Sequence, residues 1–95
     1  MENSMRQIYD KTSILKDISD REQIILEYRR TGLLDRDKAI EKIKELRQTD
    51  AAVAVVTTER LAVSAIPFDK ASDQAIVAEL QMQVDILSAK LARNE

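Results

Sequence analysis

A chain of 95 residues with one glycine and one proline has very few places where a helix must stop. Gly32 and Pro67 are the only strong breakers, so most of the remaining length is free to be helical. A single domain over residues 1–95 is expected, large enough to enclose a core but near the small end for a domain. Aromatic residues are scarce (Tyr9, Tyr28 and Phe68), so that core must be built from Ile, Leu, Val, Met and Ala. Thin aliphatic cores are often supplemented by association between chains.

The chemistry is bounded by two absences. The sequence contains no histidine and no cysteine. That removes the commonest general base, the best nucleophile and every zinc ligand except carboxylate. One glycine cannot build a phosphate-cradling loop. Asp35-Arg36-Asp37 has neither the length nor the glycine of a calcium loop. Carboxylate pairs such as Glu41 and Glu45, four residues apart, read as a solvated helix face. The expectation is a protein that is not an enzyme, with no cofactor and no metal.

Net charge is −2, with a small basic excess over residues 21–47 and an acidic one beyond them. Nucleic acid is not an expected partner. A helix-turn-helix reading would turn at Gly32 and read DNA with the helix after Asp35, presenting Lys38, Lys42, Lys44 and Arg47 to phosphate. Asp37, Glu41 and Glu45, interleaved among those cations, would face the same phosphates and oppose binding. No stretch has the order of a signal peptide and no run approaches 18 apolar residues, so a soluble, cytoplasmic chain without membrane contact is expected.

Local signals divide the chain. Ser4-Met5-Arg6-Gln7 has the form of a capping box, followed by Met5, Ile8, Thr12 and Leu15 along one helical face. Ser19-Asp20-Arg21-Glu22 is a second capping box, opening a helix over about 20–31 with Ile24, Ile25 and Tyr28 on its apolar side. Gly32 falls at its C′ position, which makes Tyr28 and Leu33 the touching pair of a Schellman ending. Asp35 is the N-cap of a third segment whose buried side is marked by Ile40, Ile43 and Leu46. The pattern loses phase at 47–50. The stretch 51–66 has β-branched residues that could make a hairpin, but its five alanines and lack of turn residues favour helix. Pro67 ends it. Asp69 or Ser72 can then cap a last helix running to about Ala92. The predicted architecture is all-α: a small bundle built on a C-terminal helical hairpin, about 36–65 with 70–92, and two shorter N-terminal helices. The alternative is α+β, with a strand hairpin at about 51–66.

The last helix carries two apolar arcs. Val77, Leu80, Val84, Leu87 and Leu91 recur at spacings of 3, 4, 3 and 4, a coiled-coil seam with Val and Leu alternating. Ala75, Met82, Ile86 and Ala89 lie roughly opposite, with Glu79, Gln83 and Lys90 on one flank between the arcs. Two apolar sides ask for two neighbours. The seam is therefore a candidate interface between chains, and a homo-oligomer is expected.

Two functional readings follow. The first is a homo-oligomeric helical protein that binds a macromolecular partner stoichiometrically, as an inhibitor, adaptor or assembly factor. The second is an oligomer that holds an anionic small molecule, such as a nucleotide, at a subunit interface. Its candidate ligand-binding residues are Tyr28, Arg29, Arg30 and Arg47, since arginine grips phosphate in a fork and an aromatic ring can stack on a base.

Overall fold

The computed structural model describes residues 11–50 and 67–93. Its elements are α1 (Lys11–Thr31), α2 (Arg36–Thr49) and α3 (Asp73–Arg93), with no strand among the described residues. The protein is a small all-α bundle. Residues 51–66, over which helix and strand hairpin were weighed, lie outside the described residues, as does the Ser4–Gln7 capping box.

The direction of each helix follows from what it touches. Arg36 meets Asp73, Gln83 meets the Ile43 carbonyl and Lys90 meets Asp50, so α2 and α3 run parallel. α1 runs antiparallel to both: Ile14 packs with Leu46 and Leu87, while Ile24 and Ile25 pack with Ala39 and Ile76. Parallel neighbours cannot be joined by a tight turn.

α1 is one helix where the sequence suggested two. Ser19 lies inside it, and its capping box is not used as a cap. A break there would release backbone N–H and C=O groups on both sides and split a continuous stripe. Ile14, Ile18, Arg21 and Ile25, at spacings of 4, 3 and 4, face the other helices. The phase expected for the first segment is corrected with it, since Thr12 and Leu15 are exposed and Ile14 is the buried residue.

The helix ends are built as local chemistry requires. Gly32 sits at φ 79°, the left-handed conformation that glycine takes without steric cost. Its N–H donates to the Tyr28 carbonyl at 2.7 Å. The Leu33 N–H donates to Thr31 Oγ1 instead, and Leu33 projects outward, so the ending is the simpler αL type and not the expected Schellman pair. Asp35 caps α2 by accepting from the Lys38 N–H at 3.2 Å. α2 stops at Thr49: Asp50 is extended, and its N–H closes on the Leu46 carbonyl at 2.9 Å. Of the two caps considered for α3, Ser72 serves, its hydroxyl accepting from the Ala75 N–H at 3.1 Å.

Among the described residues the core consists of two apolar clusters. The larger joins Ile24, Ile25, Ala39, Ile43, Ala71, Ile76, Leu80 and Val84. The smaller joins Ile14, Leu46 and Leu87. Neither cluster contains a fully buried aromatic ring, as the composition required.

Candidate functional site

The seam proposed as an oligomer interface lies within the chain's own core. Leu80, Val84 and Leu87 are buried against α1 and α2, and Val77 and Leu91 pack at the margins of the same clusters. The physical reason is the pair of neighbours already present: α1 and α2 both lie against α3. Leu80, Val84 and Leu87 are occupied by intramolecular partners and offer no free surface to a second chain, while Val77 and Leu91 remain partly exposed.

The four candidate ligand-binding residues do not converge. Arg21 is level with Lys42 across the α1–α2 contact. From that level Arg29 and Arg30 lie eight or nine residues toward the Gly32 turn, and Arg47 lies five residues the other way. At 1.5 Å per residue the two groups are about 20 Å apart. Arg29 and Arg30 are exposed, and Arg30 makes an i,i+3 pair with Glu27 at 2.8 Å. Tyr28 is half-buried beside them in sequence only.

Arg47 has a different task. Its Nε donates to Glu79 Oε2 at 2.6 Å and a second N–H reaches Glu79 Oε1, a forked ion pair across α2 and α3. Glu79 is only 2% exposed, so its charge depends on this partner. The Phe68 ring lies 5.2 Å from the Arg47 guanidinium and 5.5 Å from the Lys44 ammonium, within cation–π range of both. Asp50, a conceivable partner for Arg47 from the sequence, pairs with Lys90 at 2.9 Å. At the other end of α2, Arg36 pairs with Asp73 at 2.6 Å and also donates to the carbonyls of Phe68 and Ala71. It thereby fastens the segment that leads into α3.

The residue that sequence reading placed least well is Arg21. It is 0% exposed. Nε donates to Gln83 Oε1, Nη1 to the Asp17 carbonyl and Nη2 to the Lys42 carbonyl, each at 2.8 Å. Gln83, also fully buried, turns its amide to the Ile43 carbonyl at 3.1 Å. The Asp17 carboxylate stands 3.8 Å from the guanidinium. One polar layer thus crosses all three helices between the two apolar clusters. The available signal was positional: Arg21 occupies a place in the Ile14–Ile18–Ile25 stripe that an aliphatic residue would normally fill.

Next to this layer, on the surface, Asp20 accepts from Lys16 at 3.0 Å and lies 3.3 Å from Lys42. The hydrogen bond from Lys16, aided by Lys42, holds the Asp20 carboxyl below its ordinary range against some opposing desolvation. The same bond raises Lys16.

Three large apolar side chains are left exposed among the described residues. Leu26 is 60% exposed and Leu33 75%. Leu26 lines an open groove between the end of α1 and the start of α2, with Gln23, Ile24, Glu27, Arg30, Asp35 and Lys38. Leu15, 49% exposed, stands alone farther along α1. Among the described residues no three His, Cys, Asp or Glu side chains gather as metal ligands. No described helix is long and apolar enough to cross a membrane. No known family model matches the chain, and no curated protein or solved structure matches it significantly.

Proposed function

We propose that this protein acts by stoichiometric, non-catalytic binding of a protein partner at the corner between α1 and α2. The observation that carries the reading is the exposure of Leu26 in the α1–α2 groove and of Leu33 in the adjoining turn. Two large leucines left outside at one corner support a contact surface there. The groove rim is mixed in sign, Glu27 and Asp35 against Arg30 and Lys38, which disfavours a polyanion. It suits one side of an amphipathic helix, with an apolar anchor on Leu26 and paired charges around it.

The charged side chains elsewhere serve the fold. Arg21, Arg36 and Arg47 each join one helix to another segment, although Arg36 also lines a shallow cleft with Asp37, Ile40, Lys44, Phe68 and Asp69. With the α3 seam turned inward, self-association through it no longer supports the reading. Within one chain, the separation of Arg47 from Arg29 and Arg30 gives the small-anion alternative no support.

The test uses the full chain with a photo-reactive residue at position 26. Cross-linking in an extract of its native cells, followed by purification of the captured protein, provides material for calorimetric titration. Saturable binding should be lost in the L26E/L33E variant while its helical circular dichroism is retained. Titration that ignores this variant overturns the proposal, as does cross-linking to nucleic acid alone.

A further inference from the structure

We infer that the buried Arg21–Gln83 layer is a register lock, which selects one arrangement of the three helices at some expense of stability. The stripes that α1 and α3 turn to each other have the same form. In α1 it reads Ile14, Ile18, Arg21, Ile25; in α3 it reads Ile76, Leu80, Gln83, Leu87. Both follow spacings of 4, 3 and 4, and both replace an aliphatic residue by a polar one at the third place. Without those two residues the stripes would be near-uniform ladders of branched aliphatic side chains. Such ladders pack acceptably in more than one register.

The antiparallel order brings the two polar residues together only in the register observed. Sliding α3 by one helical turn either way would set Leu80 or Leu87 against Arg21 in place of Gln83. The guanidinium would then lie buried with its Nε–H unpaired, and the Gln83 amide would face aliphatic side chains. Each is a costly loss in a site closed to water. α2 is held by the same device. Its carbonyls at Lys42 and Ile43 receive one donor from each of the other helices. Those acceptors are fixed points of the backbone, so a rotation of α2 that moves them breaks both bonds.

A buried charge is a poor source of net stability. Its desolvation is offset only when the surrounding acceptors are well placed, and an apolar pair of similar volume often does as well or better. Specificity of register is the best-attested use of such groups in helical assemblies. The position of this layer, between the Ile14–Leu46–Leu87 cluster and the larger one, suits that use.

The experiment compares the whole chain with R21M/Q83L and with Q83L alone. The double variant should melt at or above the parent's temperature. Its amide NMR spectrum should nevertheless broaden or double, and hydrogen-exchange protection across the helices should fall by about tenfold or more. Q83L alone, which takes Gln83 Oε1 away from the buried Arg21 Nε–H, should melt below both. A double variant that keeps one sharp set of resonances and parental protection overturns the inference, because register is then fixed by the apolar residues. A double variant that melts far below the parent also overturns it, because the layer is then a source of stability.

Discussion

α1 and α3 are equally long, 21 residues each, and lie antiparallel, yet they dispose of their apolar residues in opposite ways. α3 carries the more regular pattern, and the middle of its seam, Leu80, Val84 and Leu87, is turned inward. α1 carries a less regular one: it places an arginine in the core and leaves Leu15 and Leu26 outside. Regular apolar spacing therefore reports that a face will be buried, without saying by whom. The buried arginine shows the converse, that a charge can occupy a core position where backbone carbonyls of two helices meet it.

The sharpest way to break this comparison is Leu87→Glu. If the seam joined two chains, the variant would dissociate and remain helical. The structure places Leu87 at 0% exposure between Ile14 and Leu46, so the carboxylate enters the chain's own core. A loss of more than about 4 kcal/mol is expected, enough to unfold a marginally stable small domain. Circular dichroism melts of parent and variant at several concentrations check it. Concentration-independent unfolding is the expected result; a smaller species that stays helical would return the seam to an intermolecular role.

Arg47→Ala should rank next. It leaves the Glu79 carboxylate buried without its forked partner, at a cost of about 3 kcal/mol. The double variant Arg47→Ala/Glu79→Ala removes the stranded charge as well, and should fall short of the sum of the two single losses. Additive losses in chemical denaturation would mean that the pair does not interact as the geometry indicates.

Much of the fold was legible because its signals are local. Gly32, Asp35 and Ser72 mark helix ends through backbone hydrogen bonds made within a few residues, and each does what its side chain or its lack of one dictates. Ser19 shows the limit of that reasoning. Its capping box is locally sound, but the stripe from Ile14 to Ile25 gains more by continuing against α3, and tertiary packing overrides the cap. The candidate residues do not come together within one chain for a related reason. Arg47 was grouped with Arg29, Arg30 and Tyr28 of the neighbouring helix, whereas it is committed to Glu79, 32 positions away. Glu79 and Gln83 looked like polar flanks of an apolar seam, because nothing in α3 alone reveals that Arg47 and Arg21 will meet them.

At Gly32 the comparison can be refined at a single backbone position. A Cβ there meets no atom within 4 Å, so Gly32→Ala is opposed only by the positive φ. The expected cost is about 1 kcal/mol, with Gly32→Asn costing less, since asparagine tolerates the left-handed region. Equal losses for the two, read from denaturant midpoints, would point to a steric cause instead. Because the turn sets the angle at which Leu26 and Leu33 are presented, partner affinity measured on these variants also reports whether that corner is the contact surface.

The smallest effect is expected at Asp20, where a surface ion pair lies directly outside the buried layer. Its folded carboxyl titrates below the ordinary value of about 3.9, owing first to the hydrogen bond from Lys16. The stabilisation it provides is therefore complete above that ordinary value and disappears as pH falls through the lower folded one. Lys16 is raised by the same bond, so its share holds below the ordinary lysine value of about 10.4 and is lost only as pH rises past the folded one. Asp20→Asn should consequently lower the melting temperature slightly near neutral pH, and the gap from the parent should close on acidification. Salt should narrow it too, since exposed pairs are screened. Salt should have far less effect on Arg21, which no solvent reaches. A gap at Asp20 that persists at high salt and at low pH would mean that its side chain supports the polar layer beneath it, and that the boundary between the surface and buried charges of α1 is drawn one residue too early.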